Sequence, residues 1–111
     1  MGQTAVPRRY WQLALDEISL SGAGSSVSLV VNDNKGSQMK VRYARFCGVS
    51  YDPTGDALDV GSGSLKHRID HPKQIDLAHE GITISKLAVI GADDCRYVLS
   101  FNPPVSLGAR D

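Results

Sequence analysis

What the chain has little of removes several function classes at once. No run approaches the ~18 consecutive apolar residues that a membrane-spanning helix requires, and the segment from Met1 to Arg9 lacks the unbroken apolar stretch of a secretory signal. Cysteine is scarce: Cys47 and Cys95 stand alone, too few for a disulfide-stapled secreted scaffold and without the Cys-x-x-Cys spacing of a zinc or redox site. Both lie in strand-like apolar patterns and read as buried, inert thiols. An excess of either charge is absent too. With 12 basic and 12 acidic side chains, no global field draws the protein to phosphate backbones or anionic lipid. The cytoplasm is the expected compartment, and no membrane association is expected.

Catalytic signatures are missing in the same way. There is no Gly-x-Ser-x-Gly elbow, and Gly22, Gly24, Gly61 and Gly63 do not sit in strand-to-helix turns, so neither a phosphate loop nor a dinucleotide fingerprint is present. The acids Asp33, Asp52, Asp93 and Asp94 fall in turns, where their side chains cap backbone groups rather than form an acid/base pair. No catalytic residue, metal ligand or cofactor is assigned.

What is present describes an ordinary globular chain. Of 111 residues, 41% are apolar and 22% charged, enough to bury one core, and the expectation is a single domain over 1–111 with an ordered core from about 8 to 105. Trp11, Ala14, Leu15 and Ile18 recur at helical spacing, which predicts an amphipathic helix from about Arg8 to Leu20, with Pro7 suited to its first turn and Ser21 to Ser25 as its stop. From Ser26 the period becomes two. Val27, Leu29 and Val31 alternate with polar residues, the Asn32 to Gly36 turn follows, and Met39, Val41 and Tyr43 alternate until the pattern falters at Ala44-Arg45, where a bulge or bend is expected. Tyr51-Asp52-Pro53-Thr54-Gly55-Asp56 is a hairpin turn leading to Ala57–Val60. Gly61 to Ser64 reads as a loop, Leu65 to Pro72 as an irregular crossing, and Gln74 to Leu77 as a short strand. Two more strands, about 82–90 and 95–101, flank the Gly91 to Asp94 turn, and Asn102-Pro103-Pro104 is expected to end the last one. Short turns force antiparallel neighbours. The fold class is α+β: an N-terminal amphipathic helix followed by an antiparallel β-meander of about six strands, either open or curled into a small barrel.

Two segments could carry binding chemistry. Leu65 to Pro72 gathers His67, Arg68, Asp70 and His71; on a helix His67 and His71 would share a face and could hold a metal, but Pro72 argues against that helix. The plain alternative has Ile69 anchoring the crossing in the core with the polar side chains solvated. Lys40, Arg42, Tyr43, Arg45 and Phe46 interleave bases and aromatics as single-strand nucleic-acid surfaces do. Here the plain alternative turns Val41 and Tyr43 inward and leaves Lys40 and Arg42 as the solvent face, and the neutral total charge favours it.

Trp11, the Gly48-Val49-Ser50-Tyr51-Asp52-Pro53 turn and the run from His67 to Ile75, taken in this order, resemble a family of small bacterial proteins of unknown function. Its members share an early helix with Trp, a Gly-x-x-Tyr-Asp-Pro turn and a His-x-Ile-x-x-Pro-x-x-Ile segment, and the likeness runs from about Arg8 to Val105. The resemblance implies a bacterial, stand-alone, cytoplasmic domain and singles out His67, Ile69 and Pro72, for folding or for binding. The leading expectation is a non-enzymatic interaction domain that presents the bent strand, the Tyr51 to Asp56 hairpin and the His67 to His71 crossing to a protein partner or its own copy. Candidate binding residues are His67, Arg68, His71, Tyr51, Arg42 and Arg45. The alternatives are single-stranded nucleic-acid binding through the basic-aromatic strand and, third, a His-based or metal-dependent enzyme.

Overall fold

The computed structural model describes residues 2–33, 35–63 and 65–107, and within them every side chain but those of 39–42 and 65. Among the described residues eight strands and one α-helix follow each other as β1 (Gly2–Ala5), a 3-10 turn (Arg8–Tyr10), α1 (Trp11–Ser21), β2 (Ser26–Asp33), β3 (Gly36–Asp52), β4 (Ala57–Ser62), β5 (Leu65–Asp70), β6 (Gln74–Glu80), β7 (Thr83–Ile90) and β8 (Arg96–Ser106). All strand pairs are antiparallel, in the order β1-β6-β7-β8-β2-β3-β4-β5. Two sequential meanders, β2 to β5 and β6 to β8, are therefore fused where β8 pairs with β2. The sheet is not closed: β1 and β5 are its free edges.

The helix forms because Trp11, Leu15 and Ile18 bring one apolar row to the sheet, and all three are buried. Burial of each such side chain contributes about 1.5–3 kcal/mol. They join one core with residues from seven strands, among them Leu29, Phe46, Leu58, Ile69, Ile75, Leu87 and Phe101. The glycine-serine run ends α1 as expected. Gly22 donates its N–H to the Ile18 carbonyl at 2.8 Å, and it must be glycine because an added Cβ would stand 2.7 Å from Phe46 Cε2.

The expected bend is in β3. Its 17 residues serve two neighbours, pairing with β2 as far as Arg45 and with β4 from Phe46 onward. The change occurs where Tyr43 (φ 52°) and Gly48 (φ 140°) take left-handed conformations and the register slips between Phe46 and Gly48. This slip reverses the alternation, so Cys47 is exposed, and Cys95 is half-buried in the turn before β8. Neither is the buried strand thiol that the sequence pattern suggests.

Four segments depart from the sequence reading. Leu65–Asp70 is a strand, not an irregular crossing. Ile69 faces the core and Lys66, Arg68 and Asp70 face solvent, but a histidine at the inward position 67 interrupts the apolar alternation. Gly61 and Ser62 belong to β4, opposite Lys66 and Leu65, rather than to a loop; Ser64, the last residue of the expected loop, lies outside the described residues. Gly2–Ala5, outside the expected ordered core, is a strand on β6 although all four residues are exposed; the main-chain ladder and one side-chain bond, Thr4 Oγ1 to His79 Nε2 at 2.8 Å, hold it, and these leave no apolar pattern to read. β8 also runs past its prolines to Ser106. The register jumps there from Lys86↔Ser100 to Ile84↔Val105, and β2 pairing ends at Asn102, so Pro103 and Pro104 lie in a bulge that asks for no N–H donor.

Candidate functional site

Three chain segments meet at one end of the sheet: the 3-10 turn before α1, the β3–β4 hairpin and the β5–β6 link. The hairpin closes through an Asx turn, with Thr54 N–H donating to Asp52 Oδ1 at 3.0 Å. Asp56 then takes a left-handed conformation (φ 48°), as does His71 (φ 49°). Both are non-glycine residues in a region that costs about 1 kcal/mol or more. They are held by each other, since His71 N–H donates to the Asp56 carbonyl at 2.8 Å and His71 Nδ1 lies 3.1 Å from Asp56 Oδ2.

The other oxygen of Asp56 is also occupied. Tyr51 Oη donates to Oδ1 at 2.7 Å and Arg8 Nη1 at 3.2 Å. Arg8 Nη2 reaches the Pro72 carbonyl at 3.0 Å, and the guanidinium carbon stacks 4.3 Å from the Trp11 ring centroid. Trp11 in turn donates its indole N–H to the Val6 carbonyl at 2.7 Å and meets Tyr51 edge-on at 5.2 Å. Hydrogen bonds from Tyr51, then His71, with Arg8 adding to them, hold the Asp56 carboxyl below its usual range despite some desolvation. Burial, then the hydrogen bond to Asp56, pushes the Tyr51 phenol up, against the opposing pull of Arg8. A cleft of about 470 Å³ lined by Arg8, Arg9, Gln12, Tyr51, Pro53 and Asp56 opens beside the network. Chemically the arrangement is a clamp. Both carboxylate oxygens of Asp56 are engaged internally, Oδ1 by Tyr51 and Arg8 and Oδ2 by His71.

Of the residues expected to bind, Tyr51 and His71 are brought together here; His67, Arg68 and Arg45 are not part of this network. Arg68 lies on the outer face of β5, paired with Asp70 at 3.2 Å and Asp59 at 3.8 Å. His67 is on the inner face, its ring 5.4 Å from that of Tyr97, and its buried Nε2 has no hydrogen-bond partner among the described residues. Because β5 is a strand, the helical juxtaposition of His67 with His71 does not arise. Among the described residues no group of three or more His, Cys, Asp or Glu side chains could hold a metal ion.

On the basic-aromatic strand, Arg45 is exposed and borders a cleft of about 550 Å³ with Ser19, Ala23, Gly24, Phe46, Cys47 and Gly63. The side chains of Arg42 and Lys40 lie outside the described ones. Tyr43 is 62% exposed, not turned inward, because its left-handed backbone breaks the alternation. Phe46 is buried and edge-on to Phe101 at 5.2 Å, which leaves it no face for stacking a base.

Two further features were missed by pattern reading. Arg8 and Asp56 complete the clamp, and although Asp56 ends the expected hairpin turn, no local motif announces its pairing with Arg8, 48 positions away. The second is the outer face of α1. Leu13 and Leu20 are 61% and 65% exposed and Tyr10 is 47% exposed, all turned away from the core. Their signal was legible: both leucines fall out of phase with the Trp11, Leu15, Ile18 row.

Fold and site together define a small α+β domain, one helix packed on an open, bent antiparallel sheet and tied to it by an arginine-centred clamp. The chain belongs to the family of unknown function DUF5335, whose profile matches residues 3–110. It is similar to an uncharacterized protein of Aquifex aeolicus (strain VF5), 31% identical over 109 residues that cover 96% of this chain and 98% of that protein. No solved structure matches the chain significantly.

Proposed function

We propose that the protein is a non-enzymatic interaction domain that docks a protein, either a second copy or another chain, through the outer face of α1. The observation that carries this reading is the exposure of Leu13 and Leu20, 61% and 65%, on the solvent face of an otherwise well-packed helix. A single exposed leucine is ordinary. Two in one row with Tyr10 beside them make a ridge of the kind that protein partners cover. The clamp supports the same reading, since it fixes the N-terminal end of this ridge against the β3–β4 hairpin. The cytoplasm fits as the working compartment, because Cys47 and Cys95 are unpaired thiols. In the described residues no helix is long and apolar enough to cross a membrane.

Site-specific photocrosslinking in living bacteria tests the proposal. A benzophenone side chain at position 13 is expected to give discrete protein adducts, whereas the same probe at Lys66, exposed on the outer face of β5, gives none of them. Identical adduct patterns from the two positions, or no discrete adduct from position 13, would remove the reading.

A further inference from the structure

Arg9, Leu13, Asp16 and Leu20 follow each other at intervals of four, three and four, so they form one row along α1 and the 3-10 turn that leads into it. All four are exposed. Arg9 and Asp16 carry opposite charges on the same face, and neither has an ion-pair partner among the described residues; the Arg9 guanidinium only lies 4.9 Å over the Tyr10 ring. Two helical turns, about 10 Å, separate them, too far for them to pair within one helix. Leu13 stands close to the midpoint between them.

We infer that this row is a self-complementary surface on which a second copy of the chain docks, the two α1 helices antiparallel about a two-fold axis near Leu13. A two-fold perpendicular to the helices sends each residue to the mirror height on its partner. Placed midway between Arg9 and Asp16, it brings Arg9 of each copy opposite the partner's Asp16, twice over, and packs Leu13 against the partner's Leu13 between the two pairs. Parallel docking would oppose like charges at both heights. The charge order along the row thus selects the antiparallel arrangement, as charges flanking an apolar seam select orientation in paired helices. This inference rests on the proposed function and names the occupant of the same surface.

The contact is one helix wide, so a weak, reversible dimer is expected. In low salt, sedimentation equilibrium should show the average mass rising from 11.9 kDa toward twice that value as concentration goes from about 10 μM to about 1 mM. Arg9→Glu and Asp16→Arg, each alone, replace two attractive pairs by two repulsive ones and should weaken association at least ~10-fold. An equimolar mixture of the two variants should recover it to within about three-fold, because each reversed charge then meets its complement. Leu13→Glu should abolish it. All three positions are exposed, and far-UV circular dichroism checks that each variant is folded.

A strictly monomeric wild type at about 1 mM overturns the inference, and so does a dimer that ignores both charge reversals or is not restored by mixing. The outcomes separate the two claims. Discrete adducts to other proteins from position 13, together with a monomeric wild type, retain the interaction domain and discard the second copy as its occupant. A monomer without discrete adducts discards both.

Discussion

Replacing Trp11 with phenylalanine tests whether the clamp and the core act as one unit. Trp11 is 2% exposed, and phenylalanine preserves a ring for the edge-on contact with Tyr51. Three things are lost. The smaller ring buries about 40 Å² less apolar surface, worth about 1 kcal/mol at about 25 cal/mol per Å². The hydrogen bond to the Val6 carbonyl contributes about 1 kcal/mol net. The stack under Arg8 weakens by about 0.5 kcal/mol, the low end for a half-exposed cation. The sum is about 2.5 kcal/mol, equivalent to a fall in melting temperature of about 10 °C for a domain of this size. Because Trp11 is the only tryptophan in the chain, urea unfolding has to be followed by far-UV circular dichroism rather than by fluorescence. A loss below about 1 kcal/mol would refute the reasoning, since area alone would then account for the whole effect. Combining the substitution with Arg8→Met in a double-mutant cycle should reveal about 0.5 kcal/mol of coupling; strict additivity would mean that Arg8 does not act through the indole.

Acid stability depends on Asp56. Its folded-state pKa is depressed, so its contribution is present above the ordinary carboxylate range and is lost as pH falls through the lowered value; urea midpoints from pH 7 downward should fall less steeply for Asp56→Asn than for the wild type, and equal slopes would contradict the clamp. Gly22→Ala drives a methyl group against the Phe46 ring and should cost about 1–3 kcal/mol by thermal unfolding, an unchanged melting temperature being the contrary result. His67→Phe removes a buried nitrogen that has no partner among the described residues and should stabilise the fold by about 1 kcal/mol in urea titration; a comparable destabilisation would mean that the imidazole makes an interaction the fold needs.

Pattern reading reached the helix, six of the strands and the bend in β3, because each is written as a period. Trp11, Leu15 and Ile18 recur every three or four residues, Val27, Leu29 and Val31 every two, and the faltering at Ala44-Arg45 marks where the period slips. It did not reach β1, whose four residues are all exposed and which pairs with β6 without burying an apolar side chain, nor β5, where His67 occupies an inward position. It gathered Tyr51 and His71 among the binding residues but not the partners that unite them.

The sequence by itself determined the fold class and which face of α1 is buried, since both follow from the spacing of apolar side chains along a local element. Only the tertiary structure decided that β8 pairs with β2 and leaves the sheet open, that Arg8 closes over Asp56, and that Arg68 turns away from His71. The reason is physical. These outcomes are set by bonds between residues distant in sequence, formed once the core brings them near, and such bonds need no periodic trace in the chain.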